Sequence, residues 1–299
     1  MPLNEVEQHP YLTYFNSYHN GNVPWLQYKS MIIGSFPIYK ITETIYPFNE
    51  RRHLNPDLIM PFFYGSDTNG FWSFLADTLG YNDPLLGETP TQRVENAINM
   101  LEAENILLTD VVYRTNRFDN GKRNPYSPND SALFNRAAEI DVLNQFLLNE
   151  DILSWLILCT NIEAIYFTAQ GTIGKTPGRW FKQLLTNAGI QFEPFQETSN
   201  AVKYRINING HSRVIKLFFL PTPSSYRSLS FTANRRHPMF ENYLASHYRQ
   251  FYLELQDQGF ICNENQRERL TTHRADFMRL WWIQYLKEKC VSFNGTRYV

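Results

Sequence analysis

The first of four short apolar runs, residues 28–36, has the sequence YKSMIIGSF. The other three are residues 106–113 (ILLTDVVY), 162–169 (IEAIYFTA) and 214–221 (VIKLFFLP). Each run is almost continuously apolar instead of alternating, which is typical of strands that are covered on both faces. Because helical spacing lies between the runs, we predict an α/β fold: a three-layer αβα sandwich around a four-stranded, mainly parallel central sheet.

Apolar residues at helical spacing predict four helices in the connections, the third beginning at the N-cap residue Asp130. Their apolar faces comprise Phe71, Trp72, Leu75 and Leu79, then Val94, Ile98 and Leu101, then Leu133, Phe134, Ala137 and Ile140, and finally Trp180, Leu184 and Leu185. Gly80 and Gly189 are the expected stops of the first and last helix. Residues 201–208 alternate instead and meet Asn209-Gly210, a hairpin signal, so the fourth core strand should have an antiparallel partner.

Composition limits the class of protein. The chain has 299 residues, 43% of them hydrophobic, and a formal net charge of −1, with no run of 18 apolar residues. We therefore expect a folded αβα domain over residues 1–258 and a helical C-terminal extension, residues 259–299, packed on it. The N-terminus lacks the features of a signal peptide, and Cys159, Cys262 and Cys290 lack CxxC spacing. A soluble, cytoplasmic protein without a disulfide framework or a structural metal is expected.

Basic residues gather in the loops that follow the second, third and fourth predicted strands, although the total charge is near zero. They are Arg114, Arg117, Lys122 and Arg123, then Lys175, Arg179 and Lys182, and finally Arg227, Arg235, Arg236 and His237. No acid occurs in residues 171–190 or 222–240. In an open parallel sheet the ligand binds beyond the carboxyl ends of the strands, so this charge indicates an anionic ligand. Interleaved aromatics favour a nucleic-acid strand, with a nucleotide or an ordinary charged surface as alternatives.

Three motifs lie on these elements. Residues 34–37 (GSFP) follow the first strand, residues 62–72 (FFYGSDTNGFW) lead into the first helix, and residues 220–227 (LPTPSSYR) end the fourth strand. Together with the strand that ends in Asp110 and the Asn-Gly hairpin, residues 31–252 resemble the uracil-DNA glycosylase superfamily. The similarity is greatest to its mismatch-specific uracil and hypoxanthine branch, which has a G-x-x-P turn, an N-x-F-W helix start and a proline- and serine-rich last loop.

The resemblance implies a monofunctional DNA N-glycosylase of base-excision repair. Such an enzyme binds duplex DNA as a monomer and hydrolyses the N-glycosidic bond of a flipped uracil or hypoxanthine, without cofactor or metal. Water would be the nucleophile, since no lysine lies at a motif position suited to a Schiff base. The implied catalytic residues are Asn69, which orients water or base, and the backbone amides of Gly34, Ser35 and Phe36, which stabilise the leaving base. The implied base-binding residues are Tyr64, which stacks on the base, Phe63 and Pro37.

A DNA-binding set completes what the resemblance and the charge pattern imply. It comprises Thr222, Pro223, Ser224, Ser225, Tyr226 and Arg227, which would wedge into the duplex, and the phosphate-binding residues Arg114, Arg117, Lys175, Arg179, Arg235 and Arg236. Two residues have structural alternatives: Tyr64 as a core tyrosine and Asn69 as a helix N-cap.

Two other functions stay open. Active relatives usually carry Asp or Asn at the position of Phe36, which cannot activate water, so a catalytically inactive nucleic-acid-binding member of the fold is one alternative. Residues 169–176 (AQGTIGKT) nearly match the phosphate loop of a nucleotide hydrolase, which is the other. Pro177-Gly178 argue against that hydrolase, because we expect them to interrupt the helix whose N-terminus would bind phosphate.

Overall fold

The structure is a computed structural model that describes residues 7–12, 28–37, 60–65, 69–115, 118–119, 122–123, 146–169, 176–197, 201–208 and 210–220, and the single residues 223, 249, 253, 282, 283 and 286. Its strands are β1 (Glu7–Gln8), β2 (Ser30–Gly34), β3 (Ile106–Asp110), β4 (Val112–Thr115), β5 (Phe118–Asp119), β6 (Lys122–Arg123), β7 (Leu147–Leu148), β8 (Ala164–Phe167), β9 (Gln191–Glu197), β10 (Ala201–Ile208) and β11 (His211–Phe219). Its helices are α1 (Phe71–Leu79), α2 (Pro90–Ala103), α3 (Asp151–Leu158) and α4 (Pro177–Asn187).

The main sheet has six strands in the order β3-β2-β8-β11-β10-β9. The first four are parallel, and each overlaps one of the four apolar runs, which confirms those strands and the α/β class. β2, β3 and β8 are buried along their whole length, as continuous apolar sequence requires, whereas β11 is buried mainly over its last three residues. The predicted antiparallel partner is also confirmed, since β10 pairs with β11 around Gly210, whose φ of 79° is the left-handed conformation that such a turn needs.

The predicted number of four strands is wrong, because β10 and β9 extend the sheet by antiparallel pairing. The sequence of β9, QFEPFQE, contains a proline and two acids and has no apolar run. Proline and charge are tolerated on an edge strand, which pairs on one side only, so β9 carries little of the sequence pattern of a core strand.

Three of the four predicted helices are present as α1, α2 and α4, and the one expected from Asp130 lies outside the described residues. α1 ends at Gly80 in the left-handed conformation. α3 was not predicted, because its sequence DILSWLIL is too short and too uniformly apolar to show helical periodicity.

The expectation that Pro177-Gly178 interrupt a helix is wrong. α4 begins at Pro177, in the first helical position, where proline loses no helical hydrogen bond. Thr176 is extended and caps the helix, its hydroxyl accepting a hydrogen bond of 3.4 Å from the Arg179 backbone N–H.

Two distant parts of the chain join the main domain. A small antiparallel sheet, β1-β4-β7, attaches the segment before His9 to the strand that follows β3. At the other end of the chain, Trp282 and Leu286 are completely buried, and the Trp282 ring lies edge-on to Phe71 of α1 at 5.6 Å. No helix in the described ranges is long and apolar enough to cross a membrane.

Candidate functional site

The site lies where the direction of chain winding reverses in the parallel sheet. From β2 the chain goes to β3 on one side, and later continues through β8 and β11 on the other. Ligands of open α/β sheets bind beyond the carboxyl ends of the strands at such a reversal. Here those ends are Gly34 of β2, Asp110 of β3 and Thr168, which follows β8.

Gly34 is the point where two polar side chains, those of Tyr64 and Asp110, approach the backbone of β2. A Cβ atom at this position would lie 1.6 Å from the Tyr64 hydroxyl oxygen and 2.1 Å from Asp110 Oδ1. Only glycine leaves this space open. The first glycine of the GSFP motif therefore admits a phenol and a carboxylate directly against the end of β2.

Tyr64 connects the loop before α1 to the ends of two strands. Its hydroxyl donates to Asp110 Oδ1 at 3.3 Å and shares a 2.9 Å hydrogen bond with Thr168 Oγ1. Its ring stacks on Phe71, with the ring centroids 4.2 Å apart and the planes 20° apart. The backbone of Tyr64 has a φ of 53°, which is uncommon for a bulky residue and costs about 1–3 kcal/mol. This strain is balanced by contacts that fix the position of the phenol.

His9 holds the other oxygen of Asp110, and both side chains are buried. The His9 Nε2 atom lies 2.9 Å from Asp110 Oδ2. The Tyr11 backbone N–H donates to His9 Nδ1 at 3.1 Å, so Nδ1 carries no proton and Nε2–H is the donor to the carboxylate. Burial lowers the pKa of His9 below its ordinary value, against the raising effect of Asp110, so the ring is neutral at neutral pH.

Asn149 fixes the end of β3 from the side of α3. Its Nδ2 donates to Thr109 Oγ1 at 3.1 Å and to the Asp110 carbonyl oxygen at 3.0 Å. Its Oδ1 accepts a hydrogen bond from the Asp151 backbone N–H in the first turn of α3. The backbone that carries the Asp110 carboxylate is thereby bound to a helix as well as to the sheet.

Asn69 contacts the start of α1, but it is not the N-cap residue that was one of its two predicted roles. Its Oδ1 accepts a 2.9 Å hydrogen bond from the Phe71 backbone N–H, and the residue is buried. The cap position itself belongs to Gly70, whose N–H donates to the Pro223 carbonyl oxygen at 3.1 Å. The loop after β11 therefore contacts the N-x-F-W segment, and the three sequence motifs meet in one region.

The carbonyl groups of the GSFP segment accept hydrogen bonds from the chain between β3 and β4 and from the start of β4. The Val111 N–H donates to the Gly34 carbonyl oxygen at 2.9 Å, and the Val112 N–H donates to that of Ser35 at 3.1 Å. Phe36 is buried, with its ring edge-on to His9 at 5.4 Å, and Pro37 is also buried. The motif therefore packs in the core, independently of the role expected for its backbone amides.

Phe63, predicted to bind the base, is 1% exposed. Its ring contacts His9 at 5.1 Å and Phe62 at the same centroid distance. Its carbonyl oxygen accepts a 2.7 Å hydrogen bond from Trp72 Nε1. The structure therefore places Phe63 in the core behind Tyr64.

The predicted DNA-binding residues fall largely outside the described part of the chain. Those outside are Thr222, Ser224, Ser225, Tyr226, Arg227, Arg117, Lys175, Arg235 and Arg236. Pro223 is buried against Gly70, Arg114 is half-buried on β4 next to the Tyr113 ring, and Arg179 is exposed in the first turn of α4.

Sequence reasoning missed His9, Asn149 and Thr168 as members of the site. His9 is separated from Asp110 by 101 positions, and a single histidine next to a proline has no spacing that indicates a partner. Thr168 had a weak signal, since it directly follows a core strand. In the residues that the structure describes, no group of three or more His, Cys, Asp or Glu side chains could hold a metal ion.

No protein-family model, no curated protein and no solved structure matches this chain.

Proposed function

We propose that the protein is a DNA N-glycosylase that hydrolyses the bond between deoxyribose and a flipped deaminated base, uracil or hypoxanthine. The proposal includes the three-layer αβα fold, a monomeric protein, and chemistry by water without metal or cofactor. One observation carries it: the three motifs come together, since the Tyr64 hydroxyl lies against Gly34 and the Pro223 carbonyl oxygen accepts a hydrogen bond from Gly70, next to Asn69.

The position of Tyr64 supports a role in holding the base. A flipped base needs an aromatic partner and polar contacts to its edge. The Tyr64 ring is fixed by Phe71 stacking and by hydrogen bonds at its hydroxyl, so a base that stacks on it loses little entropy in ordering the ring. Backbone strain at Tyr64 supports the same role, because such strain clusters at ligand sites.

Asn69 supports a preference for deaminated bases. Its Oδ1 is used in the contact with the Phe71 N–H, and among the described residues its Nδ2 has no hydrogen-bond partner. An amide N–H group donates to a carbonyl oxygen, which uracil and hypoxanthine present where cytosine and adenine present an amino group. The fixed orientation of the amide would therefore select the deaminated base.

The experiment is alkaline strand scission of labelled duplexes that carry one uracil, hypoxanthine, xanthine or mismatched thymine. We expect cleavage of a uracil or hypoxanthine duplex by the wild-type protein, and its loss in Asn69→Ala. Asn69→Ser separates these two contacts, because serine keeps a side-chain oxygen that can accept from the Phe71 N–H and lacks the amide donor. The matched control is Asn99→Ala on the exposed face of α2, which should cleave as the wild type does.

The alternatives give different results in the same assay. Duplex binding without cleavage of any substrate would identify an inactive nucleic-acid-binding protein. Absence of both binding and cleavage would contradict both DNA functions. We base no proposal on the nucleotide hydrolase, because the Thr176 hydroxyl, which would bind magnesium in a phosphate loop, caps α4 from outside the helix.

A further inference from the structure

The Asp110 carboxylate, which His9 and Tyr64 contact by hydrogen bonds, has no role in the function proposed above. The Asp110 side chain is 4% exposed, with Oδ1 against the Gly34 backbone and Oδ2 bound by His9. A carboxylate in such a place is unfavourable unless donors surround it. Here the donors come from two segments that are far apart in sequence, residues 7–12 and 60–65.

Phe36 stands where an acid was expected in the sequence, and it lies close to the Asp110 carboxylate. Phe36 occupies the position where active glycosylases of the family that this chain resembles usually carry Asp or Asn. Its buried ring lies edge-on to His9 at 5.4 Å, and His9 binds Asp110 at 2.9 Å. The Asp110 carboxylate is therefore separated from the position of the missing acid by one imidazole ring, and it comes from the neighbouring strand.

We propose that Asp110 is the general base of this site and that His9 is the residue that positions it. The proposal rests on the glycosylase function proposed above. The oxygen of the attacking water forms a bond to C1′ of the deoxyribose while Asp110 Oδ1 takes one of the water protons. The electron pair of the breaking C1′–N bond goes to the departing base, which takes up a proton from solvent. Asp110 then returns its proton to solvent.

His9 positions Asp110 through a single tautomer. Because the Tyr11 N–H occupies Nδ1, the ring presents Nε2–H to Oδ2 and leaves Oδ1 facing Gly34 and the Tyr64 hydroxyl. Among the described residues, the titratable groups that contact this carboxylate are His9 and Tyr64. Neither of them is a competing acid, which suits a carboxylate that must accept a proton from water.

The first test measures single-turnover cleavage and duplex affinity of Asp110→Asn. We expect the cleavage rate to fall by about 10²- to 10⁴-fold, the usual contribution of general base catalysis, with unchanged duplex affinity. Asp77→Asn on the exposed face of α1 removes the same charge outside the network and should cleave as the wild type does. Tyr64→Phe removes one hydrogen bond to the carboxylate and should slow cleavage by about tenfold.

The second test separates positioning from a purely structural role of His9. In His9→Leu the buried carboxylate loses a donor and takes up a proton more readily, so the acid limb of the pH–rate profile should move to higher pH. His9→Gln keeps a neutral N–H donor and should move the limb back towards its wild-type position. A structural role alone would lower the amount of folded enzyme without moving the limb.

The outcomes distinguish the two proposals. A wild-type protein that cleaves and an Asp110→Asn variant that cleaves equally fast would overturn the role of Asp110 and leave the glycosylase function standing. If Asp110→Asn does not fold, the pH–rate profiles decide instead. An acid limb at the wild-type position in both His9 variants and in Tyr64→Phe would overturn the role of Asp110. A wild-type protein that cleaves none of the duplexes would overturn both proposals.

Discussion

Gly34 leaves no room for a Cβ atom in the site. Ala at this position would place its Cβ 1.6 Å from the Tyr64 hydroxyl oxygen and 2.1 Å from Asp110 Oδ1, so one or both side chains must move. We expect Gly34→Ala to lower the free energy of unfolding by about 1–3 kcal/mol, the usual cost of overpacking, and to abolish cleavage. Urea unfolding and the strand-scission assay measure the two effects.

The control for this variant is Gly210→Ala. Gly210 has a φ of 79° and no atom within 4 Å of the added Cβ. Its substitution costs backbone strain of about 1 kcal/mol without any clash. Cleavage should therefore survive in Gly210→Ala, and a Gly34→Ala variant that also cleaves normally would contradict the tight approach of Tyr64 and Asp110 to β2.

His9 makes the stability of the protein depend on pH. Burial lowers its pKa in the native state, whereas in the unfolded chain the pKa has its ordinary value of 6.5. Below pH 6.5 the unfolded state binds a proton that the native state does not, so this contribution to stability is present above that pH and is lost as the pH falls. The slope should reach about 1.4 kcal/mol per pH unit for one proton.

The measurement is the free energy of urea unfolding between about pH 5 and pH 8, the range in which histidine titrates. In His9→Gln the free energy of unfolding should fall less steeply as the pH is lowered. His211→Gln, at the exposed start of β11, should leave it unchanged. Equal slopes for all three proteins would mean that His9 titrates in the native state as it does in the unfolded chain.

At the scale of elements, α1 packs between the C-terminal residue Trp282 and Tyr64 of the site. Trp282 lies against Phe71, and Phe71 stacks on Tyr64. Because Trp282 is fully buried, we expect Trp282→Ala to cost about 3–5 kcal/mol and to slow cleavage in the fraction that stays folded, since Phe71 loses its support. Leu253→Ala, at a position that is 43% exposed, should change stability by less than about 0.5 kcal/mol. Urea unfolding and single-turnover cleavage compare the two variants.

The elements differ in how far the sequence predicts them. The strands β2, β3, β8 and β11 are predictable because parallel strands are buried on both faces and need apolar residues at nearly every position. β9 is not predictable in the same way, because an edge strand accepts Pro194 and the exposed Glu193. α4 was predicted from its apolar face, whereas the interruption expected at Pro177-Gly178 was wrong, because proline is tolerated at the first helical position.

At the scale of the whole molecule, the site combines local motifs with one contact of very long range. Gly34, Tyr64 and Asn69 were expected at the site because the motifs that contain them resemble those of the uracil-DNA glycosylase superfamily. His9 was not, because only the tertiary fold, through the pairing of β1 with β4, places it next to Asp110. The N-terminal segment is therefore as much a part of the site as the strands are.

The charge distribution of the molecule predicts how DNA affinity depends on salt. The total charge is −1, so the proposed DNA binding would depend on local basic residues, such as Arg179 at the start of α4, beyond the end of β8. The logarithm of the binding constant should fall linearly with the logarithm of salt concentration, by about 0.9 for each phosphate neutralised. Arg179→Ala should therefore reduce the slope by about 0.9.

The matched control for this slope is Arg205→Ala. Arg205 is exposed on β10, near the antiparallel edge of the sheet, where it forms a 2.7 Å ion pair with Glu193. Titrations of an undamaged duplex between about 50 mM and 200 mM salt give the slope for each protein. We expect the Arg205→Ala slope to equal that of the wild type. Equal slopes for Arg179→Ala and Arg205→Ala would mean that DNA does not contact the start of α4, and that any binding uses a different face of the sheet.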